Sequence, residues 1–92
     1  LDKSVAADRI EFRQAARRAL ADLPAAAQRR LDAAILSLAD DPRPRGCKKL
    51  AGEDELWRIR VGRYRVVYTI KDDELLVLVV MIGHRREVYR RR

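Results

Sequence analysis

Ninety-two residues supply one hydrophobic core and no more. Apolar residues make up 48% of the chain and charged residues 38%, which excludes a disordered polyelectrolyte, and an aromatic share of 5% leaves the core to aliphatic side chains. The net charge of +7 points to a polyanionic partner, while one cysteine and one histidine exclude an internal disulfide and a paired Cys/His metal site.

Residues 1–8 are expected to form a disordered or non-native leader, and residues 9–92 a single domain. Ile10 and Phe12 alternate with Arg9, Glu11 and Arg13, which predicts a short first strand. Ala16, Leu20 and Leu23 recur at i, i+4, i+7, so Ala15 to Leu23 reads as a short amphipathic helix. Pro24 interrupts it and suits the first turn of a second helix. There Leu31, Ala34, Ile35 and Leu38 form one apolar stripe. Asp40-Asp41-Pro42-Arg43-Pro44 stops that helix, because proline cannot continue a helix interior. The two helices form an antiparallel hairpin.

The period then changes from 3.6 to 2. Trp57, Ile59 and Val61 alternate with Arg58 and Arg60, and Tyr64, Val66, Tyr68 and Ile70 alternate with Arg65 and Val67. Gly62-Arg63 between them is the sequence form of a type II′ two-residue loop. That loop sets Val61 against Tyr64, Ile59 against Val66 and Trp57 against Tyr68 on an apolar face, and Arg60 against Arg65 on the other. Lys71 to Glu74 is a second turn. Leu75 to Ile82 is apolar on both faces, as an interior strand is. It is also the longest apolar run, far below the ~20 residues that cross a membrane. The chain is therefore expected to be soluble and cytoplasmic, without a membrane partner. Gly83 is expected to end this strand. The predicted fold is α+β, in the order β-α-α-β-β-β, with the helical hairpin packed on one face of a small, mainly antiparallel sheet and the arginine face open.

The charge is unevenly placed. Residues 1–42 carry seven basic and seven acidic side chains, and residues 43–92 carry fourteen and seven. Arginine accounts for 17 of the 21 cations, and its planar fork suits phosphate oxygens. Like charges opposed across a hairpin are destabilising. Arg60 facing Arg65 therefore reads as a phosphate clamp, able to stabilise the negative charge of a pentacovalent transition state. An ordinary surface ion pair with Glu53, Asp54 or Glu55 is the plainer alternative. His84 is the one side chain whose unperturbed pKa lies near neutrality. Strict alternation along the last strand would put it on the side of Arg58 and Arg60.

Trp57-Arg-Ile-Arg-Val, Gly62-Arg-Tyr-Arg-Val-Val-Tyr and Ile82-Gly-His-Arg-Arg-Glu-Val-Tyr-Arg resemble the RelE branch of the RelE/ParE toxin superfamily. So do Ile10-Glu-Phe-Arg-Gln-Ala-Ala-Arg-Arg-Ala-Leu and Leu50-Ala-Gly, and the likeness spans roughly residues 9–91. It implies a toxin of a type II toxin–antitoxin pair that enters the ribosomal A site and cuts the mRNA codon there. The RNA's own 2′-OH is the nucleophile, the cut leaves a 2′,3′-cyclic phosphate, and neither metal nor cofactor takes part. The implied partners are a RelB-like antitoxin, the ribosome and mRNA.

The resemblance assigns phosphate clamping to Arg65, phosphate contact or leaving-group protonation to Arg85, and base stacking to Tyr89. Arg58 and Arg60 stand where the family commonly has basic strand residues, often lysine. Arginine at position 60 is a departure, since a guanidinium with an intrinsic pKa above ~12 is a poor base. His84 is then a candidate acid or base. Arg63, Lys48 and Lys49 join Arg58 as candidate RNA contacts. Two other readings fit the same residues: a ParE-like inhibitor of DNA gyrase acting by protein binding, and a non-catalytic RNA-binding module.

Overall fold

The computed structural model describes residues 8–50 and 55–84. Strand β1 (Arg9–Phe12) leads into helix α1 (Gln14–Ala21) and helix α2 (Ala25–Ser37), followed by strands β2 (Lys48–Lys49), β3 (Leu56–Val61), β4 (Tyr64–Lys71) and β5 (Leu76–His84). The strands form one sheet in the order β1-β5-β4-β3-β2. All neighbours are antiparallel except β1 and β5. The predicted α+β architecture is present, with one strand added: β2 is two residues long, too short to show any alternation. Asp8, assigned to the leader, donates its backbone N–H to the Ala39 carbonyl at 2.7 Å. Residues 1–7 lie outside the described residues.

The helical hairpin owes its corner to Pro24 and Gln28. Pro24 is the N-cap of α2 and not a residue of its first turn; its carbonyl accepts the Gln28 backbone N–H at 2.9 Å. The Gln28 side-chain amide donates to the carbonyls of Leu23 (2.8 Å) and Ala21 (3.2 Å). These carbonyls follow the last turns of α1 and have no helical partner of their own. Gln28 therefore ties the end of one helix to the start of the next.

The helices cover one sheet face. Ala16, Leu20, Leu31, Ile35 and Leu38 pack against Ile59, Val66, Tyr68, Ile70, Val77, Val79 and Ile82. Tyr68 lies at the bottom of this core with its hydroxyl donating to the Pro42 carbonyl at 2.7 Å. Burial first, and then the Cys47 thiol, push its phenol above the ordinary value. Arg43 closes the same corner. Its guanidinium makes two hydrogen bonds to the Asp72 carboxylate, at 2.9 and 3.3 Å, and lies over the Trp57 ring.

The β3–β4 register is the one alternation predicts: Val61 pairs with Tyr64, Arg60 with Arg65, Ile59 with Val66 and Trp57 with Tyr68. Gly62 has φ +62 while Arg63 keeps a negative φ, as a type II′ turn requires. The β4–β5 register departs from strict alternation. Val67 pairs with Met81 but Tyr68 pairs with Val79, so Val80 is a β-bulge. One extra residue reverses which face every later side chain takes. Val77 and Val79 face the helices, and past the bulge so does Ile82. Strand β5 also continues through Gly83 to His84, because both still pair with β4.

Candidate active site

The sheet face away from the helices carries Arg58, Arg60 and Arg65. Arg58 and Arg60 share a face of β3 by the two-residue strand period. Arg65 sits opposite Arg60 on the central strand β4, between Arg60 and Gly83. Gly83 has no side chain to compete for the space beside Arg65. The expectation of an open arginine face is corrected here. Arg65 is only 2% exposed and Arg58 6%, while Arg60 is exposed. A central-strand position is shielded by neighbours on both sides, which sequence alternation does not register. Burying a guanidinium costs stability unless acceptors compensate, so these two positions are expensive to maintain as arginine.

Lys48 pairs with Arg58 across β2 and β3 and so joins this face. Lys49 pairs with Trp57, and its ammonium lies 6.0 Å from the Trp57 ring centroid on the helix side. The candidate contacts Lys48 and Lys49 are therefore split between the two faces. Arg63 is exposed at the tip of the β3–β4 hairpin. Arg85 and Tyr89 lie outside the described residues.

His84 requires a correction. It pairs with Tyr64, and the two rings meet edge-on with centroids 6.1 Å apart. Together with Ala19, Asp22, Leu23 and Ile82 they line a recess of about 400 Å³ against α1. The Val80 bulge reverses the alternation that would have put His84 with the arginines, so His84 lies across the sheet from them. Its position does not suit an acid or base for chemistry on the arginine face.

Two residues on that face escaped sequence reasoning. Arg45 and Gly46 line a recess of about 380 Å³ with Lys48, Arg58, Ile59 and Arg60. Only the β2–β3 pairing brings the 44–47 loop there. Gly46 has φ +94, and a Cβ built on it would meet no atom within 4 Å, so backbone conformation and not crowding selects glycine. Among the described residues no three His, Cys, Asp or Glu side chains are grouped to hold a metal ion, and no helix is long and apolar enough to cross a membrane.

A buried and half-buried arginine cluster on the open face of a small helix-backed sheet is the frame against which relatives can be compared. Residues 10–89 match the family described as ParE toxin of type II toxin–antitoxin systems. The chain belongs to the RelE/ParE toxin family. This toxin is 29% identical over 84 residues to a Methanocaldococcus jannaschii protein carrying the name toxin RelE1, covering 88% of this chain and 93% of that one. Its fold superposes on the RelBE2 toxin–antitoxin complex of Mycobacterium tuberculosis with a TM-score of 0.77 at 28% identity, over 85% of this chain and 91% of that one. The archaeal RelE–RelB complex of Pyrococcus horikoshii gives 0.76 at 28% identity, over 86% and 96%. The isolated Escherichia coli RelE toxin gives 0.76 at 26% identity, over 90% and 92%. The RelE/ParE assignment covers the sheet and both helices, and with them Arg58, Arg60 and Arg65.

Proposed function

We propose that this toxin is a ribosome-dependent endoribonuclease that cuts mRNA at the A-site codon and is held inactive by a RelB-like antitoxin. The observation that carries the reading is the convergence of Arg58, Arg60 and Arg65 on one sheet face, two of them buried. Surface arginines that only keep a protein soluble have no need of burial. Pre-positioned donors in a water-poor site stabilise developing charge far better than mobile surface cations.

In the proposed reaction the 2′-OH oxygen bonds to the adjacent phosphorus, and the bond from phosphorus to the 5′-oxygen breaks. The 2′ proton leaves to solvent or an acceptor, and the 5′-oxygen takes up a proton. The products are a 2′,3′-cyclic phosphate and a 5′-hydroxyl. Arg65 and Arg60 grip the non-bridging oxygens as they gain negative charge, and Arg58 adds to the field from the neighbouring strand position. Arg85 contacts the phosphate or protonates the leaving oxygen, and Tyr89 stacks on a base. Stacking of that kind is worth ~1–3 kcal/mol. Arg60 acts as an electrostatic clamp and not as a base.

Antitoxin partnership is supported by the relatives solved as RelE–RelB complexes. An acidic segment laid over the basic half of the chain would neutralise it by charge complementarity. Primer extension on mRNA from cells expressing the toxin tests the reading: stops within codons at paused ribosomes support it. Intact mRNA in growth-arrested cells whose DNA gyrase is inhibited favours the ParE-like alternative.

A further inference from the structure

The recess between the 44–47 loop and β3 has no role in the chemistry above. Its lining includes four cations, Arg45, Lys48, Arg58 and Arg60, and no acidic residue. Among the described residues none of the four forms an ion pair; the ion pairs there are Arg9–Glu11 and Arg43–Asp72. Arg58 is 6% exposed, and its Nε is buried without a hydrogen-bond acceptor. A buried guanidinium N–H left without an acceptor costs more than an ordinary missing hydrogen bond. An incoming anion would remove that cost. The absence of a side chain at Gly46 leaves the mouth of the recess open, since nothing lies within 4 Å of where a Cβ would stand.

We infer that this recess is a second phosphate site, formed by Arg45, Lys48 and the Nε edge of Arg58, and that it holds the phosphodiester of a nucleotide flanking the cleaved one. The inference rests on the cleavage reading, because it assigns a second phosphate of the same RNA strand. The geometry favours a strand over a free anion. Lys48 pairs with Arg58, and Arg60 follows two residues along β3, about 6.6–6.8 Å away. The cations thus form a row that leads from the Arg60–Arg65 pair toward the sheet edge, as a single-stranded backbone would run. Lys49 is excluded from the row by its place on the Trp57 face.

The test is binding of a short 2′-O-methyl RNA, whose blocked nucleophile prevents cleavage, followed by fluorescence anisotropy over a salt series. The Arg45→Gln/Lys48→Gln protein should bind about tenfold more weakly than the unaltered protein. Its slope of log K against log salt should be smaller by about 1.4, at ~0.7 per single-strand phosphate contact. Arg45→Lys should recover most of the slope. Arg29→Gln, on the exposed side of α2, should change little. Unchanged affinity and slope in the double variant would overturn the second site, as would an equal loss in Arg29→Gln, which would trace the effect to net charge. The two readings separate cleanly. Binding that depends on Arg45 and Lys48 in a protein that leaves ribosomal mRNA intact supports the site and removes the cleavage reading. Cleavage by the unaltered protein with no dependence of binding on Arg45 and Lys48 does the reverse.

Discussion

Replacing Arg65 with methionine keeps the aliphatic stem and removes the charge, while replacing it with alanine removes both. Arg65 is 2% exposed on the central strand, so the two losses can be weighed separately. Alanine deletes two buried methylenes, worth about 1.6 kcal/mol at ~0.8 kcal/mol each. For a domain of this size that corresponds to a fall of about 6–13 °C in Tm, at ~4–8 °C per kcal/mol. Methionine keeps most of that packing and should melt close to the unaltered protein. Loss of one preorganised donor to the transition state costs ~2.7–4 kcal/mol, or 10²–10³ in rate. Both variants should therefore lose cleavage on programmed ribosomes to that extent, and only alanine should also lose stability. Thermal melts paired with single-turnover cleavage measure the two effects. An Arg65→Met protein that melts normally and cleaves normally would refute the role of the charge.

Other outcomes follow from particular contacts. His84→Ala should leave the cleavage rate and its pH profile between roughly 5.5 and 7.5 unchanged, because His84 meets Tyr64 on the helix face; a flattened profile would show that imidazole reaches the reaction. Gln28→Ala should destabilise the fold by about 1–2 kcal/mol in chemical denaturation, since two hydrogen bonds at the hairpin corner are lost. Leu75 is 46% exposed with φ +51, so Leu75→Gly should raise stability by about 0.5–1 kcal/mol, the relief of a left-handed conformation less the added chain entropy; a lower Tm would contradict this. The Arg43 hydrogen bond lowers the Asp72 carboxyl below its ordinary 3.8. Its contribution is full above the unfolded value and lost as pH falls through the folded one. NMR titration of Arg43→Ala should show the carboxyl moving back up toward 3.8, and an unmoved titration would deny the pairing.

The helical hairpin and the β3–β4 pairing were legible because each rests on local chemistry. The apolar stripe Leu31, Ala34, Ile35, Leu38 and the Gly62-Arg63 turn leave one arrangement for their neighbours. The bulge at Val80 was not legible. Leu75 to Ile82 is apolar throughout, so no change of polarity marks the point at which the facing reverses, and His84 was assigned to the wrong side for that reason. Strand β2 escaped notice because Lys48 and Lys49 are too few for a period and owe their pairing to β3. The burial of Arg58 and Arg65 depends on neighbouring strands, which alternation along one strand does not describe. The cationic residues on the site face were readable as residue types in a pattern, and Arg45 was missed because a loop residue has no periodicity to reveal its direction.

The most direct test of the central claim is the chemistry of the RNA ends. Purified toxin, free of antitoxin, is added to ribosomes programmed with an mRNA of defined A-site codon, and the fragments are separated and analysed. The account predicts cleavage within that codon, with a 2′,3′-cyclic phosphate on one fragment and a 5′-hydroxyl on the other, and no cut in the same mRNA without ribosomes. Intact mRNA on the ribosome, or fragments ending in a 3′-hydroxyl and a 5′-phosphate, would contradict it.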